Sequence, residues 1–183
     1  MFNWFKKIAS PAPPTAPVKA SAIGPAPRVD PAPPTAPRQN KGIGFDPNLI
    51  DQYQADHRHL LALFGRAKEA AETAQWSKVA AALGVFSAAL TDHLLSERVR
   101  LYAYLKESVA DDPDSVELMK HFSSEMHGIG KVVMSFLDDQ RDLGHSPAKQ
   151  GAFLAAWMDI GRTLGDRIAR EEKTLYPMYR ASN

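Results

Sequence analysis

Four ionisable side chains interrupt the apolar stripes of this sequence at helical spacing, and they are of types that bind transition metals. They are His57, His93, Glu97 and Glu171. Each takes a position where neighbours three and four residues away require an apolar core side chain. Such a group must be paired or coordinated, because burying it alone costs free energy. Imidazole and carboxylate together suit iron, manganese or zinc, so the pattern predicts a metal site inside a helical protein.

A further segment offers two more candidate ligands, Glu125 and His127. The neighbours of His127 at helical spacing form a polar face, Ser123, Ser124, Gly130 and Lys131. Glu125 instead borders the apolar stripe that contains Phe122 and Ile129. Since residues three and four apart share one face of a helix, we expect Glu125 to point inward. His127 is the alternative ligand from this segment.

These residues belong to four predicted helices. A proline after an acidic or hydroxyl residue marks the start of three of them, at Asp46-Pro47, Asp112-Pro113 and Ser146-Pro147. Apolar side chains that recur every three or four residues predict helices over 46–72, 76–108, 112–144 and 146–181. Gly144 is the expected stop of the third helix. No alternating strand pattern competes with this interpretation.

The connections between these helices are only a few residues long, which favours antiparallel neighbours. We therefore predict an all-α fold, an up-down-up-down four-helix bundle. In such a bundle the ionisable positions, Glu125 included, lie 10 to 15 residues from the same end. That is about 15 to 23 Å at about 1.5 Å per residue. Five ionisable groups would therefore share one layer.

Residues 1–43 differ in composition from the rest of the chain. Ten of the 14 prolines fall between Pro11 and Pro37, where the heptapeptide Pro-Ala-Pro-Pro-Thr-Ala-Pro occurs twice. A segment with so few large apolar residues cannot bury a core, so we expect a disordered leader before a bundle of residues 44–183. Residues 1–8 combine aromatic side chains with two lysines. They are a candidate docking segment for a protein partner or a membrane surface.

Composition excludes several classes of function. The net charge is +1 and the chain has no cysteine. Nothing indicates a nucleic-acid surface, and thiolate metal sites, Cys nucleophiles and disulfides are excluded. No Ser/His/Asp arrangement and no phosphate loop is present. We therefore predict no catalytic residue. Residues 1–8 also lack the apolar run of a signal peptide or a membrane span, so we expect a cytoplasmic protein.

Three motifs resemble those of the hemerythrin-type (HHE) cation-binding domains. They are Asp56-His57-Arg58-His59-Leu60, Asp92-His93-Leu94-Leu95-Ser96-Glu97 followed by Leu101-Tyr102, and Glu171-Glu172-Lys173-Thr174-Leu175-Tyr176-Pro177. The resemblance covers nearly the whole bundle. It implies a non-haem di-iron centre, with Glu97 bridging the metals and with His57, His93 and Glu171 as further ligands. It also implies binding or sensing of O2 or another small oxidant rather than turnover.

The chain departs from the family pattern in the fourth helix, where Arg167 replaces a histidine four residues before Glu171. Arginine keeps its charge and does not ligate metals. Arg167 either stands beside the metal, against Glu171, or replaces a lost metal and neutralises Glu97, Glu125 and Glu171. The second alternative is suggested by a resemblance to the regulator-of-sigma-D type anti-sigma proteins. They have a similar Leu-x-x-Arg-x-x-x-Glu stretch, which is matched here by Leu164, Arg167 and Glu171. In that case the bundle is a metal-free regulatory module.

Overall fold

The structure, a computed structural model, describes residues 43–181. Within that range the chain forms helices and turns but no strand. The elements are α1 (Leu49–Glu72), α2 (Trp76–Ser96), a π segment (Glu97–Leu101), α3 (Tyr102–Ser108), α4 (Pro113–Asp139), a 3-10 turn (Leu143–His145), α5 (Pro147–Arg170), a second π segment (Glu171–Leu175) and a closing 3-10 turn (Tyr176–Met178). Since α2, the first π segment and α3 run on as one helix, the described residues form the four predicted helices. The predicted leader and the docking peptide of residues 1–8 lie outside the described residues.

The helix starts follow the predicted caps in part. Pro113 opens α4, and the Asp112 carboxylate accepts the backbone N–H of Asp114 at 3.2 Å, as expected of an N-cap. At α1 the predicted start is three residues too early. The Asp46 carboxylate accepts the N–H of Asn48 at 2.9 Å and closes a turn, after which the helix begins at Leu49.

The third helix ends at Asp139 rather than at Gly144, so the predicted stop was wrong. The N–H of Gln140 bonds to the carbonyls of Phe136 and Leu137, both at 3.2 Å, and closes the last turn. Gly144 lies instead in the 3-10 turn that carries the fully buried Leu143. A turn that returns an apolar side chain to the core, and not a glycine cap, ends the helix.

Two apolar clusters fill the interior, one on each side of a polar layer. The larger cluster surrounds Trp157, whose indole N–H donates to the carbonyl of Phe64 at 3.2 Å and whose ring stacks on the Phe64 ring at 4.8 Å. The smaller cluster surrounds Tyr53. Residues of the polar layer lie in the sequence between residues of the two clusters. His57, for example, lies between Tyr53 of the smaller cluster and Leu60 of the larger one. Burial of apolar surface above and below therefore fixes the height of the layer.

The first and last helices approach each other closely at Gly161. A Cβ atom at this position would lie 2.2 Å from Cζ of Phe64, so any larger residue would displace the ring. The glycine thus keeps α1 against α5. These two helices carry or precede His57 and Glu171, two of the predicted ligands.

The continuous helix Trp76–Ser108 is long and apolar enough to cross a membrane by length and composition alone. Its side chains in the larger apolar cluster include Val79, Leu83, Phe86 and Leu90. Two ionisable residues of the same helix, His93 and Glu97, are also buried in the bundle. Core packing therefore accounts for only part of the hydropathy of this helix, since 28% of its most apolar 18-residue window is buried.

Candidate metal centre

Two π segments begin with the two glutamates of the site. Glu97 starts the segment Glu97–Leu101, and Glu171 starts the segment Glu171–Leu175. Single π turns inside longer helices are rare and occur frequently at functional sites. The two glutamate residues are 1% and 2% exposed. Both irregular turns therefore begin at the polar layer.

The four predicted ligands His57, His93, Glu97 and Glu171 converge. All four are buried, and one potential ligand atom from each lies within 4.8 Å of the others. Nε2 of His57 is 3.5 Å from Oε2 of Glu171, and the two imidazole ring centres are 4.8 Å apart. The predicted common layer is confirmed for these four residues, which come from three of the four helices.

Tyr176 connects two of these side chains. Its hydroxyl lies 3.1 Å from Nε2 of His57 and donates to Oε1 of Glu97 at 2.9 Å. The other imidazole nitrogen, Nδ1 of His57, donates to Oε1 of Glu172 at 2.9 Å. Because both of its nitrogens have a partner, the orientation of the His57 ring is fixed.

Two buried polar atoms of the cluster have no hydrogen-bond partner among the described residues, Nδ1 of His93 and Oε2 of Glu97. Asp56 Oδ2 lies 3.5 Å from Nδ1 of His93, which is long for a hydrogen bond. An unpaired buried carboxylate oxygen is costly, and a cation would satisfy it. Two imidazoles and two carboxylates also suit iron and other first-row metals. These residues therefore fit a metal ion.

Arg167 brings a permanent cation into the same layer. It is 2% exposed. Its Nε donates to Oε1 of Glu171 at 2.6 Å and its Nη1 to Oε2 of Glu125 at 3.0 Å. Its Nη2 donates to the hydroxyl of Tyr102 at 3.1 Å. No hydrogen bond joins it to Glu97, so it reaches two of the three carboxylates considered in the metal-replacement alternative.

Neither of the third-helix candidates joins the four buried residues. Glu125 is partly exposed, and its Oε2 accepts hydrogen bonds from both Arg167 and Arg170. His127 is exposed on α4. α4 therefore supplies, through Glu125, a counter-ion for the two arginines. The ligand roles of Glu125 and His127 stay predictions.

The environment of the layer shifts the pKa values of its members. Burial, followed by the charge of Glu171, raises the pKa of Glu97 to about 8. Burial by itself would lower the pKa of His57, but hydrogen bonds to Glu171 and Glu172 outweigh it and the pKa is raised. Burial and then the neighbouring His57 lower the pKa of His93. A metal ion at Glu97 must therefore displace a proton at neutral pH.

Tyr102 and Tyr176 were not among the predicted site residues. A repeated spacing in the sequence signals both of them. His93 and Arg167 are each followed by Glu after four residues and by Leu-Tyr after another four. Each tyrosine contacts the other copy of this spacing, since Tyr102 accepts from Arg167 and Tyr176 donates to Glu97.

A helical bundle that holds two imidazoles and two carboxylates within ligand distance has the architecture of metal-binding bundle proteins, whose ligands project inward from facing helices. Residues 48–179 match the family described as the Hemerythrin HHE cation binding domain. The chain belongs to this family, which confirms the resemblance of its three motifs. Domains of this family bind metal ions, commonly iron. No curated protein and no solved structure matches the chain significantly.

Proposed function

We propose that the chain forms an up-down-up-down bundle that binds one non-haem iron ion through His57, His93, Glu97 and Glu171. The iron binds or senses O2 or another small oxidant. The observation that carries this proposal is the convergence of four buried potential ligands, one of which, Glu97, has an unpartnered oxygen. Membership of a cation-binding family supports the same function.

Arg167 favours one ion over the di-iron centre that the resemblance implies. Its guanidinium lies 2.6 Å from Oε1 of Glu171 and 3.0 Å from Oε2 of Glu125. A second metal ion between these two carboxylates would meet a permanent positive charge, and like charges repel strongly in a poorly solvated interior. The other oxygen of Glu171, Oε2, faces His57 instead. The arginine therefore takes the place of a second metal ion, and Oε2 of Glu171 remains available to the single iron ion.

The surrounding residues hold the ligands in position for the ion. Glu172 accepts from Nδ1 of His57, which leaves Nε2 directed toward the cluster. Tyr176 donates to Oε1 of Glu97, and Oε2 remains without a partner. Apolar clusters on both sides of the layer exclude water. The bound ion supplies a one-electron redox centre that can bind a diatomic molecule.

The test is the metal content of the full-length protein after anaerobic incubation with ferrous iron and removal of the excess. We expect one equivalent of iron. Unfolding should become less favourable by about 2.7 kcal/mol when free iron is at about 100 times its Kd. His93→Ala and Glu97→Gln should lose most of the iron and of this stabilisation. Full iron content in both variants would show that these residues are not ligands.

Two exposed histidines outside the cluster provide matched controls for the loss of an imidazole. His59→Ala and His127→Ala should keep the full iron content, because neither side chain is part of the buried layer. Addition of O2, nitric oxide or peroxide to the iron-loaded protein then tests the sensing role. We expect a change in the ultraviolet-visible spectrum. Iron binding without a response to any of the three would remove the sensing role.

A metal-free regulatory bundle, similar to the regulator-of-sigma-D type anti-sigma proteins, is the second candidate. The observation that favours it is the ion pairing of Arg167, which compensates Glu125 and Glu171 without a metal. In this function the bundle binds a protein partner. If iron, manganese and zinc all fail to bind, and none of them changes the unfolding free energy, this candidate replaces the first.

A further inference from the structure

A cleft opens between the second helix and α4. Its volume is about 740 Å³, and it is lined by residues from 94–106 on one wall and from 119–134 on the other. At one end the helices come close, since a Cβ on Gly130 would lie 3.2 Å from Cδ1 of Leu94. The volume falls in the range of about 300–1,000 Å³ that is usual for ligand sites.

The apolar part of the lining is rich in methionine. It consists of Leu94, Leu95, Met119, Met126 and Met134, with Tyr102 beside them. Methionine side chains adapt to partners of different shape. Leu95 is 56% exposed, and Val99, one helical turn further on, is 49% exposed. Met119 and Met126 are buried at the floor of the cleft, whereas Leu94, Tyr102 and Met134 are partly exposed. The exposed apolar surface is therefore centred on Leu95, and exposed apolar surface beside a cleft marks a site of interaction.

The polar part of the lining is positively charged. Four exposed cations line the cleft, Arg98, Lys106, Lys120 and Lys131. None of them forms an ion pair with another residue of the range 43–181. The one carboxylate in the lining, Glu97, is buried. At about 1.5 Å per residue, the cations without an ion pair are spread over about 12 Å of one wall and about 16 Å of the other.

We propose that this cleft docks an acidic amphipathic helix of a partner protein. Apolar side chains on one face of that helix would enter between the two walls, and acidic residues on its flanks would pair with the lysines and the arginine. The docking residues are Leu95 and the four exposed cations, none of which is a proposed iron ligand, although the buried Glu97 also borders the cleft. The proposal therefore goes beyond the function proposed above and does not rest on it.

The distribution of charge favours this occupant over two others. A fatty acid carries its charge at one end, whereas the four cations are divided between both walls, with Arg98 and Lys106 on one and Lys120 and Lys131 on the other. The chain's own residues 1–8 carry two lysines and no acidic residue. The cations of the cleft would repel that peptide.

The test uses the full-length protein and one defined probe. The probe is a fluorescein-labelled helical peptide of 18 residues, with leucines on one face and glutamates on both flanks, and its binding is followed by fluorescence anisotropy. We expect a Kd on the order of 1–10 µM. Binding should weaken with salt, because the screening length falls from about 10 Å at about 0.1 M to about 3 Å at about 1 M. A scrambled peptide of the same composition should bind poorly.

Four variants locate the binding. The double variant Lys120→Glu with Lys131→Glu should weaken binding at least about tenfold, because two attractive pairs become repulsive. Lys78→Glu reverses an exposed lysine of α2 outside the cleft and should change the Kd less than about twofold. Leu95→Gln should weaken binding about fivefold through lost apolar contact. Its matched control is Val85→Gln, because Val85 is 54% exposed on the same helix but does not line the cleft.

Circular dichroism of each variant checks that the bundle is folded. Failure of the wild-type protein to bind the acidic peptide overturns the proposal, and so does equal weakening by Leu95→Gln and Val85→Gln. Tighter binding of a peptide with the sequence of residues 1–8 assigns the cleft to the chain itself. Binding of palmitate in competition with the acidic peptide, at lower concentration, assigns it to fatty acids. Both results also overturn the proposal.

Discussion

The second and fourth helices carry the same spacing with opposite chemistry. In the second helix, His93 and Glu97 each have a buried polar atom without a hydrogen-bond partner among the described residues. In the fourth helix, Arg167 occupies the position equivalent to His93, and all three of its nitrogens donate hydrogen bonds. Its guanidinium also lies 4.5 Å from the centre of the Phe122 ring, at the distance of a cation–π contact.

This difference teaches that charge is balanced locally within one polar layer. The half around His93 and Glu97 lacks a cation and is suited to take one from solution. The half around Arg167 carries its own cation, paired with Glu125 and Glu171. The side chain four residues before the glutamate decides which case applies. A histidine there leaves room for a metal ion, and an arginine there supplies the positive charge itself.

The largest effect is expected from removing the internal cation. Arg167→Met leaves Oε1 of the buried Glu171 without its cationic partner, which should lower the free energy of unfolding of the metal-free protein by about 3–5 kcal/mol. Urea denaturation in the presence of a chelator measures this. Arg170→Met is the matched control, because Arg170 is exposed and also pairs with Glu125. The control should lose no more than about 1 kcal/mol, and equal losses in the two variants would contradict the assignment of the buried pair.

Arg167→His converts the fourth-helix half into the chemistry of the second-helix half. The new imidazole would stand four residues before Glu171, on the same helical face, so the iron content should rise from one to two equivalents. Iron at about 100 times the Kd of the added site should contribute about a further 2.7 kcal/mol to the unfolding free energy. Elemental analysis and urea denaturation measure the two quantities. An iron content that stays at one equivalent would mean that the missing histidine is not what limits the site.

A smaller effect is expected from the proton on Glu97. Its pKa is about 8 in the folded protein against 4.5 for an ordinary glutamate, so the folded state keeps a proton that the unfolded state releases. The unfolding free energy of the metal-free protein should therefore fall as the pH rises from 4.5 to about 8. The contribution of this one group should level off above that pH, and its slope is at most about 1.4 kcal/mol per pH unit.

Glu97→Gln provides the comparison for this pH dependence. The variant lacks the titrating group, so the difference between the wild-type and variant unfolding free energies should change over the same pH interval. A series of urea denaturation curves in the presence of a chelator gives that difference. Two parallel stability profiles would show that Glu97 does not titrate in this interval.

The smallest effect is expected from the exposed histidine of α4. His127→Ala should change neither the iron content nor, by more than about 0.5 kcal/mol, the unfolding free energy, because the side chain is exposed and outside the buried cluster. Loss of iron in this variant would show that α4 rotates to supply a ligand. The site would then include a ligand from α4 in addition to the two halves compared above.

Much of the site could be predicted because each residue of a helix adds the same rise, about 1.5 Å, along the helix axis. Counting residues from the helix ends placed His57, His93, Glu97 and Glu171 in one layer, and their ligand atoms lie within 4.8 Å of one another. Glu125 was counted into the same layer, but the count does not fix the direction of a side chain around the axis. Its carboxylate pairs with Arg167 and Arg170 instead.

The sequence by itself determined the four helices, the polar interruptions of their apolar faces and the family, because periodicity and motif spacing are local properties of the chain. Only the tertiary structure decided that Arg167 bonds to Glu125 and Glu171 but not to Glu97, and that Tyr176 connects Glu97 to His57. These choices depend on distances between helices and on the two π segments, which change the register of side chains within a helix. The spacing of residues along one helix contains neither quantity.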